Sequence, residues 1–341
     1  MNFAKKTLTL FLTVGIIATS TIGCSTKANN TTETDQVAVT PEVQTPELSQ
    51  SKLDELTITH VLSPLNVPSI IQKNQSIIQN EFSNNGKEIQ VNYAEITSGS
   101  EQTQALASGD VDILYAVGAT SVILAAANGV DIKILNMYSR SPEAFALFSK
   151  DDTIKTAEDL KGKTVAGPVG TNLHQLLVAF LERSNMTIED VNFVSMSIPD
   201  SKAALDSGSI DAALLAGPIA YKAKLQGHHL VTNGKGLTDA VIAVAVRKDF
   251  YEQYQAEIEV FMNAQARTIA FMKENHDEAM EIVAKELELD IAAVEEMFSQ
   301  YDFNIEVTDA DRQAFKNVAD FMFKTDMIES NIDTNEIFIN K

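Results

Sequence analysis

Tryptophan is absent from the 341 residues, and cysteine occurs once, at Cys24. A single thiol cannot form an internal disulfide, so the fold has to be held by an apolar core. At 45% hydrophobic residues the chain can build one. Positive charge is also scarce: 26 Lys and Arg stand against 47 Asp and Glu, a formal net charge of -21, and only five of the cations are arginine. So acidic a chain excludes nucleic acid as a partner. The acidic runs DEAMEIVAKELELD and AAVEE read as solvated helix faces. Catalytic signatures are missing as well, with no GxSxG, P-loop, HExxH or CxxC. Of the five histidines, the adjacent pair His228-His229 would point apart in a strand, which argues against a metal site, and reads as a surface loop; His60 and His276 read as surface positions in the same way. Only His174 falls where it could matter. These absences predict no catalysis on a substrate, no metal and no cofactor.

What is present begins at the N-terminus. Lys5 and Lys6 precede an apolar run over residues 8–18 that is too short to span a bilayer as an ordinary helix, so residues 1–23 read as a secretory signal peptide. Cleavage before Cys24 removes two positive charges and leaves the remainder at -23. The sequence Thr21-Ile22-Gly23-Cys24 resembles the lipobox of bacterial lipoproteins, with Thr21 in place of the usual leucine. The resemblance implies lipidation of Cys24 and anchoring to the outer face of a bacterial cell membrane. Residues 24–52, rich in Asn, Thr, Gln, Glu and Pro and without apolar periodicity, read as a flexible lipidated linker.

A segment then occurs twice, 99 residues apart: ALASGDVDILYAVGAT from Ala105 and ALDSGSIDAALLAGPI from Ala204. Ala105/Ala204, Leu106/Leu205, Ser108/Ser207, Gly109/Gly208, Asp112/Asp211 and Gly118/Gly217 are identical, where about one identity is expected by chance. Two similar halves imply a cleft between them. Strand and helix patterns alternate in each half. The first has strands at 56–62, 88–96 and 111–116 and helices at 69–82, 101–107 and from 120 to Gly129. The second has strands at 164–166, 191–195 and 210–215 and helices at 172–183, 201–206 and 219–226. The glycine after each repeated helix suits a left-handed C-cap. Residues 132–138, 144–148 and 241–246 read as crossing strands, so the chain leaves the first half near Arg140 and returns near Ala240, which makes a hinge. Beyond Asp249 the pattern is helical, with Phe261, Ile269, Phe271, Met272, Met280 and Ile282 as core positions and Thr308 and Asp311 as an N-cap pair. The expected class is α/β, with two lobes each built on a mixed sheet flanked by helices and two hinge crossings. Lobe one takes residues 53–141 plus 240–341, lobe two residues 142–239.

Ligands of α/β lobes bind at the loops that leave strand C-termini and enter helices, where free N–H groups face outward. In lobe one this singles out Ser63 and Asn66, then Ser98, Gly99 and Ser100, then Thr120 and Ser121. In lobe two it singles out Gly170, Thr171, Asn172 and His174, then Pro199, then Gly217 and Pro218. Tyr138 and Arg140 lie at the first crossing. Several helix N-termini aimed at one cleft favour a small anionic or strongly polar ligand.

On ALASGDVDI, GATSVILAAANG, KTAEDLKGKTVAGPVGTNLHQLL, IPDSKAALDSGSIDAAL and AVRKDF, the chain resembles the solute-binding proteins of ABC importers, in the sulfonate, taurine and nitrate group that includes thiamine-precursor receptors. The match runs over residues 56–327. The resemblance implies a type II periplasmic-binding-protein-like fold whose lobes close over a small molecule, contact through the loop at residues 170–174, and delivery by a monomer to a membrane permease with its ATPase. Departures are visible. Ile96-Thr97-Ser98-Gly99-Ser100 replaces an aromatic and Gly-Pro, and Leu215-Ala216-Gly217-Pro218-Ile219 stands where sulfonate-type relatives often carry Trp and Asp-Pro-Tyr. A stacking platform would come from Tyr93, Tyr115, Tyr138, Phe145 or Tyr221. Arg140 is the candidate counter-charge for a sulfonate, carboxylate or phosphate, with a hinge ion pair as its other reading. A receptor for a thiamine-precursor pyrimidine, a lipoprotein sensor and a biosynthetic enzyme on the same fold are the competing functions.

Overall fold

The computed structural model describes residues 52–339. The signal segment, Cys24 and the linker through residue 51 lie outside the described residues. The first half of the chain contributes β1 (Glu55–His60), α1 (Val67–Asn74), α2 (Ile77–Asn84), β2 (Gln90–Glu95), α3 (Gly99–Ser108), β3 (Ile113–Gly118), α4 (Ala119–Ala127) and β4 (Ile132–Arg140). The second contributes β5 (Phe145–Ser149), β6 (Thr164–Gly167), α5 (Asn172–Glu182), β7 (Asn192–Ser195), α6 (Ile198–Ser207), β8 (Ala212–Ala216), α7 (Gly217–Leu225) and β9 (His229–Asn233). Next come β10 (Val241–Arg247), α8 (Lys248–Gln253), α9 (Gln255–Glu274), α10 (His276–Leu287), α11 (Ile291–Phe298) and α12 (Asp309–Lys324).

These strands form two five-stranded mixed sheets, ordered β2-β1-β3-β10-β4 and β7-β6-β8-β5-β9. In each, four strands run in one direction and a single strand runs against them: β10 between β3 and β4, and β5 between β8 and β9. The two sheets therefore share one topology, and each antiparallel strand adjoins a crossing. The segments read as crossing strands are thus members of the sheets. The connections between the lobes are shorter, and they are tied where the Ser141 N–H donates to the Ala240 carbonyl at 3.4 Å.

The repeat does the same structural work in both sheets. Gly109 and Gly208 end α3 and α6 at φ +86° and +76°, a left-handed C-cap that glycine takes without a Cβ penalty. Leu106 and Leu205 are fully buried beneath these helices. The Asp112 carboxylate accepts the Thr57 N–H at 2.8 Å while its own N–H donates to the Thr57 carbonyl. Asp211 does the same with Thr164, also at 2.8 Å. A two-way clasp of this kind fixes how the third parallel strand enters its sheet.

Two local readings need correction. The helix expected over residues 69–82 is broken into α1 and α2, because Ser76 takes a left-handed φ of 51°. Strand β9 begins at His229, within the stretch read as a surface loop, and the neighbouring His228 ring is nearly buried with Nε2 2.7 Å from Asp206 Oδ1. His60 is no surface residue either, since β1 carries it into the lobe-one core at 2% exposure.

The C-terminal helices pack onto the first sheet's layer, α9 on α1 and α2, α10 on α1, and α12 on α4. Phe261, Ile269, Met272 and Met280 are buried there, whereas Phe271 and Ile282 are half-buried. Thr308 and Asp311 form the expected capping box at the start of α12. Helix α11 also reaches across to α7 of the second lobe, with Lys224 Nζ 2.5 Å from Glu296 Oε1. Among the described residues no helix is long and apolar enough to cross a membrane.

Candidate functional site

A cavity of about 290 Å³ opens between the two sheets and takes its walls from both. Four helix N-termini meet there: Ser98 and Gly99 begin α3, Gly118 precedes α4, Thr171 and Asn172 begin α5, and Ser197 and Ile198 begin α6. The first N–H groups of a helix lack intrahelical acceptors and carry its positive end. Ser197 caps α6 itself, its Oγ accepting the Asp200 N–H at 3.2 Å. At α3 and α5 no such cap is made: the Ser98 hydroxyl pairs with Ser100 at 2.8 Å, and the Thr171 hydroxyl donates to the Pro168 carbonyl at 2.8 Å. Their first-turn donors have no side-chain cap, the arrangement in which a helix N-terminus can receive an anion. No Lys, Arg, His or Cys lines the cavity among the described residues, and Phe145 is its one aromatic.

The lobes are apposed beside this cavity by direct contacts. Asn172 Oδ1 accepts from the Thr120 hydroxyl at 2.9 Å and from its N–H at 3.4 Å, so a side chain of one lobe caps the helix of the other. Thr120 Oγ1 is also 2.9 Å from Gln175 Oε1. One hydroxyl has one proton, so the Gln175 amide presents its NH₂ group to Thr120. Ser121 donates to the Gly170 carbonyl at 2.9 Å, and Ser63 to the Ala216 carbonyl at 3.1 Å. This is a closed arrangement of the two lobes.

Of the residues singled out in sequence, Ser98, Gly99, Ser121, Thr171, Asn172 and Pro199 line the cavity. Ser63, Thr120, Gly170 and Gly217 form the seam between the lobes instead. Asn66 is buried and donates to the Val61 carbonyl at 2.9 Å, bracing its own loop, and Pro218 is buried in the first turn of α7. Ser100 serves Ser98. Tyr138 is corrected to a core residue: it is fully buried, and its hydroxyl is held by the Ser69 N–H and Oγ at 3.1 and 2.9 Å. Arg140 is corrected as well. Its guanidinium grips Asp311 in a bidentate pair at 2.7 and 2.6 Å and donates to the Asn304 and Glu306 carbonyls, away from the cavity. The hinge-side ion pair is therefore the reading the geometry takes. Of the aromatic candidates only Phe145 reaches the cleft; Tyr115 and Tyr138 stack edge to face in the core at 4.9 Å.

His174 stands behind the α5 loop, stacked on Phe193 at 4.8 Å, with Nδ1 accepting the Gly170 N–H at 3.3 Å. Burial pushes its pKa down to about 4. His60, buried near Lys73, is pushed to about 4 in the same way. Both imidazoles are neutral in the native state at neutral pH. As pH falls below the ordinary 6.5 the unfolded chain binds protons that the native chain refuses, so the stability they contribute is full above 6.5 and declines toward 4. The urea midpoint of His174→Gln is expected to fall less over that window than that of the native protein; parallel curves would refute this.

Sequence reasoning missed Glu95, Glu101 and Gln102, which also line the cavity. It searched the loops, whereas Glu101 and Gln102 sit at the first turn of α3. The signal was there in the first turn after Ser98-Gly99.

Two lobes of one topology, apposed over a cavity ringed by helix N-termini, define the periplasmic-binding-protein class of fold. The chain belongs to the NMT1/THI5-like family, whose model matches residues 82–279. It is 27% identical to an aliphatic sulfonates-binding protein of Bacillus subtilis (strain 168), over 85% of this chain and 87% of that one. It is 30% identical to the taurine-binding periplasmic protein of Escherichia coli (strain K12), over 50% of this chain and 54% of that one. The alkanesulfonate-binding protein SsuA from Xanthomonas axonopodis pv. citri, bound to MOPS, superposes with a TM-score of 0.77 at 19% identity, covering 85% of this chain and all of that one.

Proposed function

We propose that the protein is an exported solute-binding component of an ABC importer that captures a small sulfonate-type anion in its interlobe cleft and delivers it to a membrane permease with its ATPase. The observation that carries this reading is the convergence of four helix N-termini, two from each lobe, on one cavity. A ligand accepting N–H groups from both lobes has contacts in the closed form that the open form cannot offer, and this differential affinity drives closure. Residues 53–141 with 240–341, and residues 142–239, would move as the two bodies, pivoting at Ser141 and Ala240. No chemistry on the ligand is required for this role. The names of the relatives point the same way. A lipid on Cys24 would hold the receptor beside its permease.

A micromolar dissociation constant corresponds to about -8 kcal/mol, within reach of a few charge-assisted hydrogen bonds plus closure. In a thermal-shift screen of sulfonates, taurine, nitrate, carboxylates and pyrimidines, at least one sulfonate is expected to raise the melting temperature in a saturable way, because it binds only the native state. A response to pyrimidines alone, which would stack on Phe145, would replace the sulfonate reading with the heterocycle one.

A further inference from the structure

Two buried amides and one hydroxyl cross the seam beside the cavity, and the direction of their hydrogen bonds is fixed by elimination. The backbone N–H of Thr120 can only donate, so the Asn172 side-chain atom 3.4 Å from it is the carbonyl oxygen, Oδ1. The same oxygen lies 2.9 Å from the Thr120 hydroxyl and takes its single proton. With that proton spent, the hydroxyl accepts from the Gln175 amide 2.9 Å away. Every donor along Gln175, Thr120 and Asn172 therefore points the same way. The last of them, Asn172 Nδ2, is shielded at the cavity wall and has no partner among the described residues. The three residues are 4, 0 and 3% exposed in that order, so bulk water does not compete for these bonds. Asn172 and Gln175, three apart on α5, share one face of that helix. Glycine at 118 makes the seat, since a Cβ there would lie 2.8 Å from Asn172 Oδ1. Neither Thr120 nor Gln175 lines the cavity.

Resting on the reading of the cleft as a sulfonate site, we infer that Thr120 and Gln175 are positioning residues that act through Asn172: they hold its amide with the donor toward the ligand, so that the lobes close only on a ligand atom that accepts a hydrogen bond there. A ligand presenting a donor at that point would turn the amide over. Its NH₂ group would then face the Thr120 N–H across the seam, two buried donors with no acceptor between them. In an open form Asn172 is parted from Thr120 and its amide is free to turn. The polarity of the ligand is thus tested as the lobes close, by residues that never touch it.

A double-mutant cycle read by isothermal titration calorimetry tests this, with methanesulfonate, ethanesulfonate and butanesulfonate as probes. Thr120→Val keeps the side-chain shape and the backbone N–H and removes only the hydroxyl. It is expected to weaken the tightest probe about tenfold, the effect of one hydrogen bond, and Thr120→Ser to restore the affinity. In an Asn172→Ala background the same Thr120→Val change is expected to cost less than about twofold, because the residue through which it acts is gone. Gln175→Met removes the first donor of the chain at nearly unchanged length; it is expected to behave as Thr120→Val does, and it carries the same cycle if that variant does not fold. Losses that multiply in the double variant would make Thr120 a part of the seam alone and overturn the inference, as would native affinity in both Thr120→Val and Gln175→Met. A Thr120→Ser variant as weak as Thr120→Val would overturn it too. All three outcomes leave the sulfonate reading standing. Failure of the native protein to bind any of the three probes would overturn the sulfonate reading itself, and this inference with it.

Discussion

Replacing Asp311 with alanine is expected to destabilise the folded protein by about 3 kcal/mol, the order of loss seen when one member of a buried ion pair is removed and the other stays. The carboxylate is only 3% exposed, and it receives two hydrogen bonds from Arg140 while closing the Thr308 capping box. Without it the guanidinium keeps only the Asn304 and Glu306 carbonyls and Asp302 Oδ2 at 3.7 Å, and α12 loses its N-terminal lock. Burial by itself would raise the Asp311 pKa, but the hydrogen bonds of Arg140 and Thr308 and the guanidinium charge more than offset it and hold the group below 3.8. The sign follows. This stabilisation is complete above that pH and is lost as pH falls through the lower native value, so the acid limb of the native protein should be steeper than that of Asp311→Asn. Urea titrations from pH 7 to 3 would check both points. A variant within about 0.5 kcal/mol of native would deny the pair its structural role.

Gly217→Val is expected to weaken ligand binding about a hundredfold while leaving the secondary structure intact. Gly217 stands at φ +55° where α7 begins, and a Cβ there would lie 2.5 Å from Leu65 N and 2.8 Å from Pro64 Cα. Both of these are backbone atoms of the opposite lobe and cannot swing aside. The strained φ costs about 1–2 kcal/mol. The larger effect is geometric: the seam that includes the Ser63 to Ala216 hydrogen bond cannot close, and the ligand loses the wall supplied by one lobe. Calorimetry together with small-angle scattering would decide. Unchanged affinity with the usual ligand-induced compaction would show that the seam is not part of closure.

The lobes were legible because their signals are local and doubled. Ser-Gly after a short helix, followed by an apolar run, marked a C-cap and a strand in both halves, and Asp112 and Asp211, each directly before its strand, turned out to clasp the same position of each sheet. The site was legible in its loops, since Ser, Thr and Gly before a helix advertise a free N-terminus. What stayed hidden depends on the third dimension. Nothing near Arg140 in sequence announces that Asp311 will lie within 3 Å of it, because α12 is brought there by packing of the C-terminal helices onto α4. Glu101 and Gln102 were passed over because they read as the opening of a helix and not as part of the loop before it, although a helix that starts at a cavity offers its first turn to it. Tyr138 and His60 were misplaced because a strand buried on both faces gives no alternation to read.

The position of β10 between β3 and β4 has a consequence for the order in which the molecule can be assembled. The sheet of lobe two is drawn from one uninterrupted stretch, β5 through β9, so it can be complete once Asn233 is available. Lobe one holds β1 to β4 in waiting, and its central gap is filled only by Val241–Arg247. A chain emerging N-terminus first therefore finishes its second lobe before its first. Until then it carries an open sheet with the edges of β3 and β4 unpaired, which makes the wait for β10 the interval in which this protein is most exposed to pairing with the wrong strand.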